Sequence, residues 1–103
     1  LKINNILLEV MTSLDDVLFA GLKLYPNPVS DILFLENSTG RSVKGFEILN
    51  SSGQLVSKIY ETISVNNTQV IHINSSSTLN SGLYYARIFL DEKVITKKFI
   101  VIN

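Results

Sequence analysis

Two prolines, the only two among the 103 residues, flank Asn27 and restrict the backbone more than any other feature of the sequence. Each proline fixes its own φ angle and disfavours helical geometry at the residue before it. Because neither ring nitrogen carries a hydrogen, Pro26 and Pro28 cannot pair in the middle of a sheet. We therefore predict that the segment 22–31 forms a rigid corner at a sheet edge, or at the rim where a first strand crosses over.

From residue 31 onward, short apolar runs alternate with clusters of Asn, Ser, Gly and Asp. Strands separated by turn formers about every ten residues are typical of antiparallel sandwiches. No window shows helical apolar spacing, and alanine, a strong helix former, occurs only at positions 20 and 86. The predicted fold class is all-β: an antiparallel immunoglobulin-like β-sandwich of about seven strands. The clearest strands are predicted at 31–36, 43–49, 54–60, 69–74, 83–90 and 93–102.

Two of the turns predict hairpins. The turn at 50–53 contains Gly53, which can adopt positive φ, so the flanking strands are expected to pair antiparallel. The acidic pair at 91–92 is expected to turn the chain between the last two strands in the same way. The final strand would then lie beside the one before it.

Alternation along the second strand places Phe46 and Ile48 on one face, where we expect them to contribute to the core. The segment 61–68 is polar and rich in asparagine. We predict a loop or a weak edge strand there.

The first 21 residues are predicted to lie outside this domain. Residues 1–10 are strand-like, with apolar residues on both faces, and are interpreted as the end of an upstream domain. Residues 11–21 include Ser13, which is sufficient to cap one helical turn. The same composition is typical of a flexible connection between domains, and we interpret these residues as a linker. The predicted boundaries are therefore 1–21 for upstream domain plus linker, and 22–103 for the second domain. Without an initiator methionine or signal segment, the chain is expected to be a C-terminal piece of a longer protein.

Composition excludes several classes of function. Nine basic and nine acidic residues give no net charge, so we expect no nucleic-acid partner. Cysteine is absent, which rules out disulfides, zinc–thiolate sites and thiol nucleophiles. The longest apolar runs are far too short for a membrane span.

The sequence offers no catalytic or metal-binding pattern. His72 is the only histidine, lies in mid-strand on the predicted outer face, and has no nucleophile motif around it. The acidic pairs at 15–16 and 91–92 lack the spacing of metal ligands. We therefore predict no enzyme activity and no cofactor.

Four segments in order resemble a known family, the type A C-terminal sorting domain of the type IX (Por) secretion system of Bacteroidetes. The resemblance runs from residue 22 to the end, with Asp31 close behind the first segment. The segments are Tyr25-Pro26-Asn27-Pro28, the turn 50–56 with Gly53, the segment 79–88 with Leu79, Gly82 and Tyr84, and the end 96–101.

The resemblance implies a role in export. Such a domain folds in the periplasm, and the outer-membrane translocon and its shuttle proteins recognise it and carry an upstream cargo domain of the same chain across the outer membrane. A cell-surface sortase then removes the domain, which leaves the cargo at the cell surface or secreted. On this interpretation the domain is a substrate of the system.

The final strand is the expected contact for the translocon, because a strand at a sheet edge offers unpaired backbone groups to a partner. Lysines there are also an ordinary protection of an edge strand against aggregation. The predicted recognition residues are Lys97, Lys98, Phe99, Ile100 and Val101, with Phe99 adding an aromatic signature to the charged edge.

Sortase cleavage is expected in the linker, because proteolysis needs extended and accessible chain. The predicted cleavage region comprises Met11, Thr12, Ser13, Leu14, Asp15, Asp16, Val17, Leu18, Phe19, Ala20, Gly21 and Leu22.

Two other interpretations stay open. A carbohydrate-binding or adhesion sandwich would use exposed aromatics such as Tyr60 and Tyr85 as a sugar platform, although the pattern does not place coplanar aromatics on one evident face. A spacer between domains is the third, but a strand that ends the sequence is not expected of a spacer.

Overall fold

The structure is a computed structural model that describes residues 14–60, 63–74 and 78–103. One helix and eight strands lie within these residues. They are α1 (Leu14–Gly21), β1 (Leu22–Tyr25), β2 (Ile32–Asn37), β3 (Gly45–Asn50), β4 (Leu55–Ile59), β5 (Ile63–Val65), β6 (Thr68–His72), β7 (Gly82–Phe89) and β8 (Val94–Val101). The strand predicted at residues 1–10 lies outside the described residues.

Two four-stranded antiparallel sheets pack as a sandwich, which confirms the predicted fold class. The first sheet has the order β1-β2-β6-β5, and the second sheet has the order β4-β3-β7-β8. Both predicted hairpins, β3–β4 and β7–β8, are confirmed. The strand count is eight rather than about seven because the corner segment begins with β1 and the doubtful segment contains β5.

The core lies between the two sheets. Phe46 and Ile48 are fully buried, as their alternation predicted. Each large apolar side chain removed from water contributes about 1.5–3 kcal/mol, so this layer supplies most of the stability of a domain without disulfides. The largest fully buried side chains are Phe46, Phe99, Leu18, Leu22, Leu33, Leu35, Ile48, Ile71, Ile73, Ile88, Val29 and Val101.

The β3–β4 turn has the predicted chemistry. Gly53 adopts φ 85°, and its N–H donates to the carbonyl of Asn50 at 2.9 Å. The side-chain oxygen of Asn50 accepts from the backbone N–H groups of Ser52 and Gln54, each at 3.0 Å. The turn therefore fixes the hairpin register through one asparagine.

The helix α1 corrects the expected linker conformation at 14–21. Eight residues are too few to form a stable isolated helix in water, so packing must hold it. Leu18 is 2% exposed and belongs to the core, and the carbonyl of Gly21 accepts from the N–H of Ser38 at 2.7 Å. The helix was missed because its stability comes from burial against strands remote in sequence.

The strand β5 lies in the segment that was predicted as a loop or a weak edge strand. It pairs with β6 at the edge of the first sheet. Asn66 and Asn67 adopt positive φ angles of 50° and 64° in the turn between them, a geometry that asparagine tolerates better than most residues.

Candidate recognition site on the last strand

The strand β8 is an edge strand of the second sheet. It pairs along its whole length with β7, from Gly82 opposite Val101 to Phe89 opposite Val94. On its other side, within the described residues, backbone pairing is confined to the end of the strand, where Val29 forms an isolated parallel bridge to Val101. The expected edge position of the final strand is therefore present in the fold.

The proline corner covers the end of β8. The N–H of Val29 donates to the carbonyl of Ile100 at 2.8 Å, and the carbonyl of Val29 accepts from Ile102 at 2.9 Å. The side-chain oxygen of Asn27 accepts from the N–H of Ile100 at 2.9 Å. The chain thus leaves β1 in the first sheet and reaches the edge of the second, as a crossover at the rim. Its attachment to β8 could not be read from local sequence.

We expect Asn27→Ala to lower the free energy of unfolding by about 1 kcal/mol, because the N–H of Ile100 loses its acceptor. Amide hydrogen exchange at Ile100 should accelerate more than exchange in the middle of β7. Asn80→Ala is the matched control, because the Asn80 side chain is exposed and makes no hydrogen bond among the described residues. Equal effects of the two substitutions would contradict the role given to Asn27.

The middle of β8 keeps an open backbone. Both backbone groups of Ile100 point to the corner, so by the two-residue period those of Thr96 and Lys98 point the same way. Nothing in the described part of the chain pairs with them. We call the backbone groups of Thr96 and Lys98 the free edge.

The side chains of β8 divide between two faces. Ile95, Phe99 and Val101 point inward and are 4% or less exposed, whereas Lys98 and Ile100 are exposed on the outer face. Phe99 and Val101 therefore belong to the core, and the expected aromatic signature of Phe99 is absent from the surface. Of the predicted recognition residues, Lys98 and Ile100 have side chains exposed on the outer face, and Ile100 is 44% exposed.

Lys97 shares the inward face with the core residues but carries a charge. Its ammonium nitrogen lies 3.8 Å from the centre of the Phe19 ring on α1, a cation–π contact at the rim of the sandwich. The side chain is half-buried, and the loss of water around it lowers the pKa of Lys97 from its ordinary value of 10.5.

This lowered pKa predicts a pH dependence. Between the folded and unfolded pKa values of Lys97 the unfolded chain binds more protons, so the stability of the fold rises with pH there. The cost of the buried charge is present at neutral pH and is relieved as folded Lys97 deprotonates. We expect the wild type to gain stability relative to Lys97→Met as pH rises towards 10.5, measured by urea unfolding. A constant difference between wild type and Lys97→Met over the same pH range would contradict the prediction.

Three of the sequence motifs meet around the end of β8. The Tyr84 ring stacks on Phe99 with 6.0 Å between ring centres, and its hydroxyl donates to the carbonyl of Asn80 at 2.8 Å. The Asn103 side chain donates to the carbonyl of Leu79, and the residue Leu79 is itself buried, with 5% exposure. Together with the proline corner, this packing fixes the position of the last strand.

The other motif residues lie further away or at exposed positions. Tyr25 is 42% exposed and stacks on Phe34 on the outer face of the first sheet, with 5.4 Å between ring centres. Gly82 begins β7 with φ 157°. Gly53 lies in the β3–β4 turn, two strands from β8, so it serves the fold and does not contribute to the free edge.

A model of the family described as secretion system C-terminal sorting domain matches residues 23–102. The chain belongs to this family. The match confirms the resemblance seen in the motifs and identifies a C-terminal sorting signal of type IX secretion. A search of the curated proteins gave no match.

Membership of the sorting-domain family carries several functional statements. A type IX sorting signal implies export to the cell surface or secretion, and it implies interaction with the type IX machinery. The family is one of sorting signals and not of enzymes.

The expected cleavage region is not extended over the part that the structure describes. Residues Leu14–Gly21 form α1, and Leu18 and Leu22 are buried. A protease needs several residues in extended form, so residues 14–21 are protected while α1 is folded. Met11, Thr12 and Ser13 lie outside the described residues.

The remaining candidate groups are His72 and the acidic side chains. His72 is exposed on β6, as its alternation predicted. Within residues 14–60, 63–74 and 78–103, no three His, Asp or Glu side chains cluster as metal ligands would. No helix in the same part of the chain is long and apolar enough to span a membrane.

Proposed function

We propose that the outer-membrane translocon of the type IX system recognises this domain through the free edge of β8 together with the side chains of Lys98 and Ile100. The observation that carries the proposal is the unpaired backbone of Thr96 and Lys98. On one side β8 pairs with β7 along its length, and on the other side only its end pairs, with Val29, among the described residues. An unpaired strand edge can accept a strand from another protein, and flanking side chains then supply selectivity.

On this proposal the domain acts as an address for an upstream cargo. It folds in the periplasm, engages shuttle proteins and the translocon, and carries the cargo across the outer membrane. A cell-surface sortase then cuts within residues 11–22. The family supports the export role, and a cut between residues 14 and 21 would require α1 to open first.

The experiment is a delivery assay with the whole chain, residues 1–103, fused to an inert periplasmic reporter in a host that carries the system. Thr96→Pro removes a backbone donor that the sandwich itself does not use, and Lys98→Glu reverses a charge beside it. We expect both to abolish surface delivery while leaving the melting temperature within a few degrees. Lys98→Glu keeps the assay decisive if the proline variant does not fold.

Lys44→Glu is the matched control, because it makes the same charge reversal at a side chain that is 60% exposed and lies just before β3. Delivery of this variant should be normal. Normal delivery of folded Thr96→Pro and Lys98→Glu would refute recognition at the free edge. Deleting residues 97–103 is a poorer test, because it removes Phe99 and Val101 from the core.

The cleavage step is tested separately by sequencing the new amino terminus of the domain after release. We expect it to begin within residues 12–23. A cut elsewhere in the chain would contradict the assigned region without touching recognition.

Sugar binding is a second candidate, because the structure does place aromatics on one face. Tyr60 packs directly over Gly45, where an added Cβ would lie 2.9 Å from two ring carbons, yet the residue is 61% exposed. Phe89 contacts the same glycine, and Tyr85 shares the outer face of the second sheet. A flat, exposed ring can support a pyranose, and the guanidinium carbon of Arg87 lies 5.9 Å from the centre of the Phe89 ring. Glycan-array binding that Tyr60→Ala removes would favour this function, and a blank array would exclude it.

A further inference from the structure

The helix α1 lies between the edges of the two sheets. It runs directly into β1, the edge of the first sheet, and its side chains contact β8, the edge of the second. The proline corner joins the same two edges at the other end of β8. This side of the sandwich is thus covered at one end by the corner and at the other by α1.

Two polar contacts attach α1 beside the free edge. A carboxylate oxygen of Asp15 lies 3.2 Å from the ammonium of Lys93, just before β8. The ammonium of Lys97 lies 3.8 Å from the centre of the Phe19 ring. These pairs are largely exposed, since Asp15 is 65% and Phe19 49% accessible, so water and salt weaken both. Only Leu18 anchors the helix by full burial.

We propose that α1 occupies, in the free domain, the surface that the partner takes, and that this partner is an extended strand presenting a carboxylate and an aromatic ring. The inference rests on the proposed recognition at the free edge. A strand that pairs with Thr96 and Lys98 passes close to two lysines. In the free domain, Asp15 of α1 contacts Lys93, and Phe19 of α1 contacts Lys97. A partner that displaces the helix must replace both contacts, and charge complementarity specifies an acidic group and a ring.

Displacement of α1 has a consequence for processing. Residues Leu14–Gly21 are helical and closed to a protease in the free domain, and they become extended chain when the partner replaces their contacts. Docking of the partner and exposure of residues 14–21 are thereby coupled. A domain that has not docked keeps residues 14–21 closed to a protease.

The first test measures hydrogen exchange of the α1 amides in the whole chain, free and bound to outer-membrane vesicles from a host with the type IX system. Vesicles from the same host without the translocon serve as the reference. We expect the α1 amides to lose protection on translocon-dependent binding, while amides in β3 and β7 keep theirs. Unchanged or increased protection of α1 would overturn the inference.

The second test weakens α1 in advance. Asp15→Asn with Phe19→Ser removes both contacts, so the partner no longer competes with them, and we expect translocon-dependent vesicle binding to tighten about three- to tenfold. Val17→Ser is the matched control, because Val17 is 54% exposed on the same helix. Unchanged binding of the double variant would contradict the inference. Weaker binding would contradict it too, because it would show that the partner binds α1 directly.

The two proposals fail differently. If wild type shows no translocon-dependent binding, or Lys98→Glu binds as well as wild type, recognition at the free edge fails and the inference fails with it. If binding depends on Lys98 but neither α1 exchange nor the double variant changes, only the displacement of α1 is wrong.

Discussion

Phe99→Ala is expected to lower the free energy of unfolding by about 4 kcal/mol, although Phe99 lies on an edge strand beside the proposed recognition residues. The ring is fully buried and stacks on Tyr84 with 6.0 Å between ring centres. Truncation leaves a cavity between the sheets and removes an aromatic pair worth about 0.5–1.5 kcal/mol in addition to its buried area. Urea unfolding of the isolated chain measures the loss.

Ile100→Ala is the matched control one residue further along the strand. Ile100 is 44% exposed on the outer face, so its truncation is expected to cost under about 1 kcal/mol. The pair separates folding from recognition. Ile100→Ala should impair delivery in a stable domain, and Phe99→Ala should impair delivery only by unfolding it.

The outcome that would contradict this division is specific. If Phe99→Ala unfolds at nearly the wild-type urea concentration and still fails in delivery, then Phe99 contacts a partner after the domain has opened. The recognition surface would then have to include the core side of β8.

The pattern of the sequence was sufficient for most of the second sheet. Alternation identified β3, β4, β7 and β8, because each pairs through a short turn with its neighbour or carries one clearly apolar face. Phe46 and Ile48 could be assigned to the core for the same reason. Local spacing is enough where local pairing decides the structure.

The faces of β8 could not be assigned in this way. One face carries Ile95 and Phe99 with a lysine between them, and the other carries Ile100 with a lysine beside it. Both faces are therefore half apolar, and only tertiary packing determines which is buried. The sequence pattern alone therefore did not show that Phe99 and Val101, two of the predicted recognition residues, belong to the core.

Contacts between segments remote in sequence account for the rest. The bond from Ile100 to Asn27 joins residues 73 positions apart, and no local pattern encodes it. The helix α1 depends on Leu18 reaching a core assembled by later strands. A proline pair predicted the corner, but its function of covering the end of the last strand emerged only from the fold.

The second large effect concerns a charged pair on the outer face of the second sheet. The Glu47 carboxylate accepts from Arg87 Nε at 3.1 Å and from Nη2 at 2.5 Å. The Glu47 side chain is only 8% exposed, whereas that of Arg87 is 41% exposed. Replacing the arginine therefore leaves an almost fully buried carboxylate without its ion-pair partner. Replacing the carboxylate leaves a guanidinium that water can reach.

We expect Arg87→Met to lower the free energy of unfolding by about 2 kcal/mol, and Glu47→Gln by about 1 kcal/mol or less. The double variant should recover most of the loss caused by Arg87→Met, because a neutral amide tolerates burial beside methionine better than a carboxylate does. Urea unfolding of the four proteins at neutral pH completes the cycle. A larger loss for Glu47→Gln than for Arg87→Met would contradict the prediction. It would mean that the fold keeps the guanidinium, and not the carboxylate, away from water.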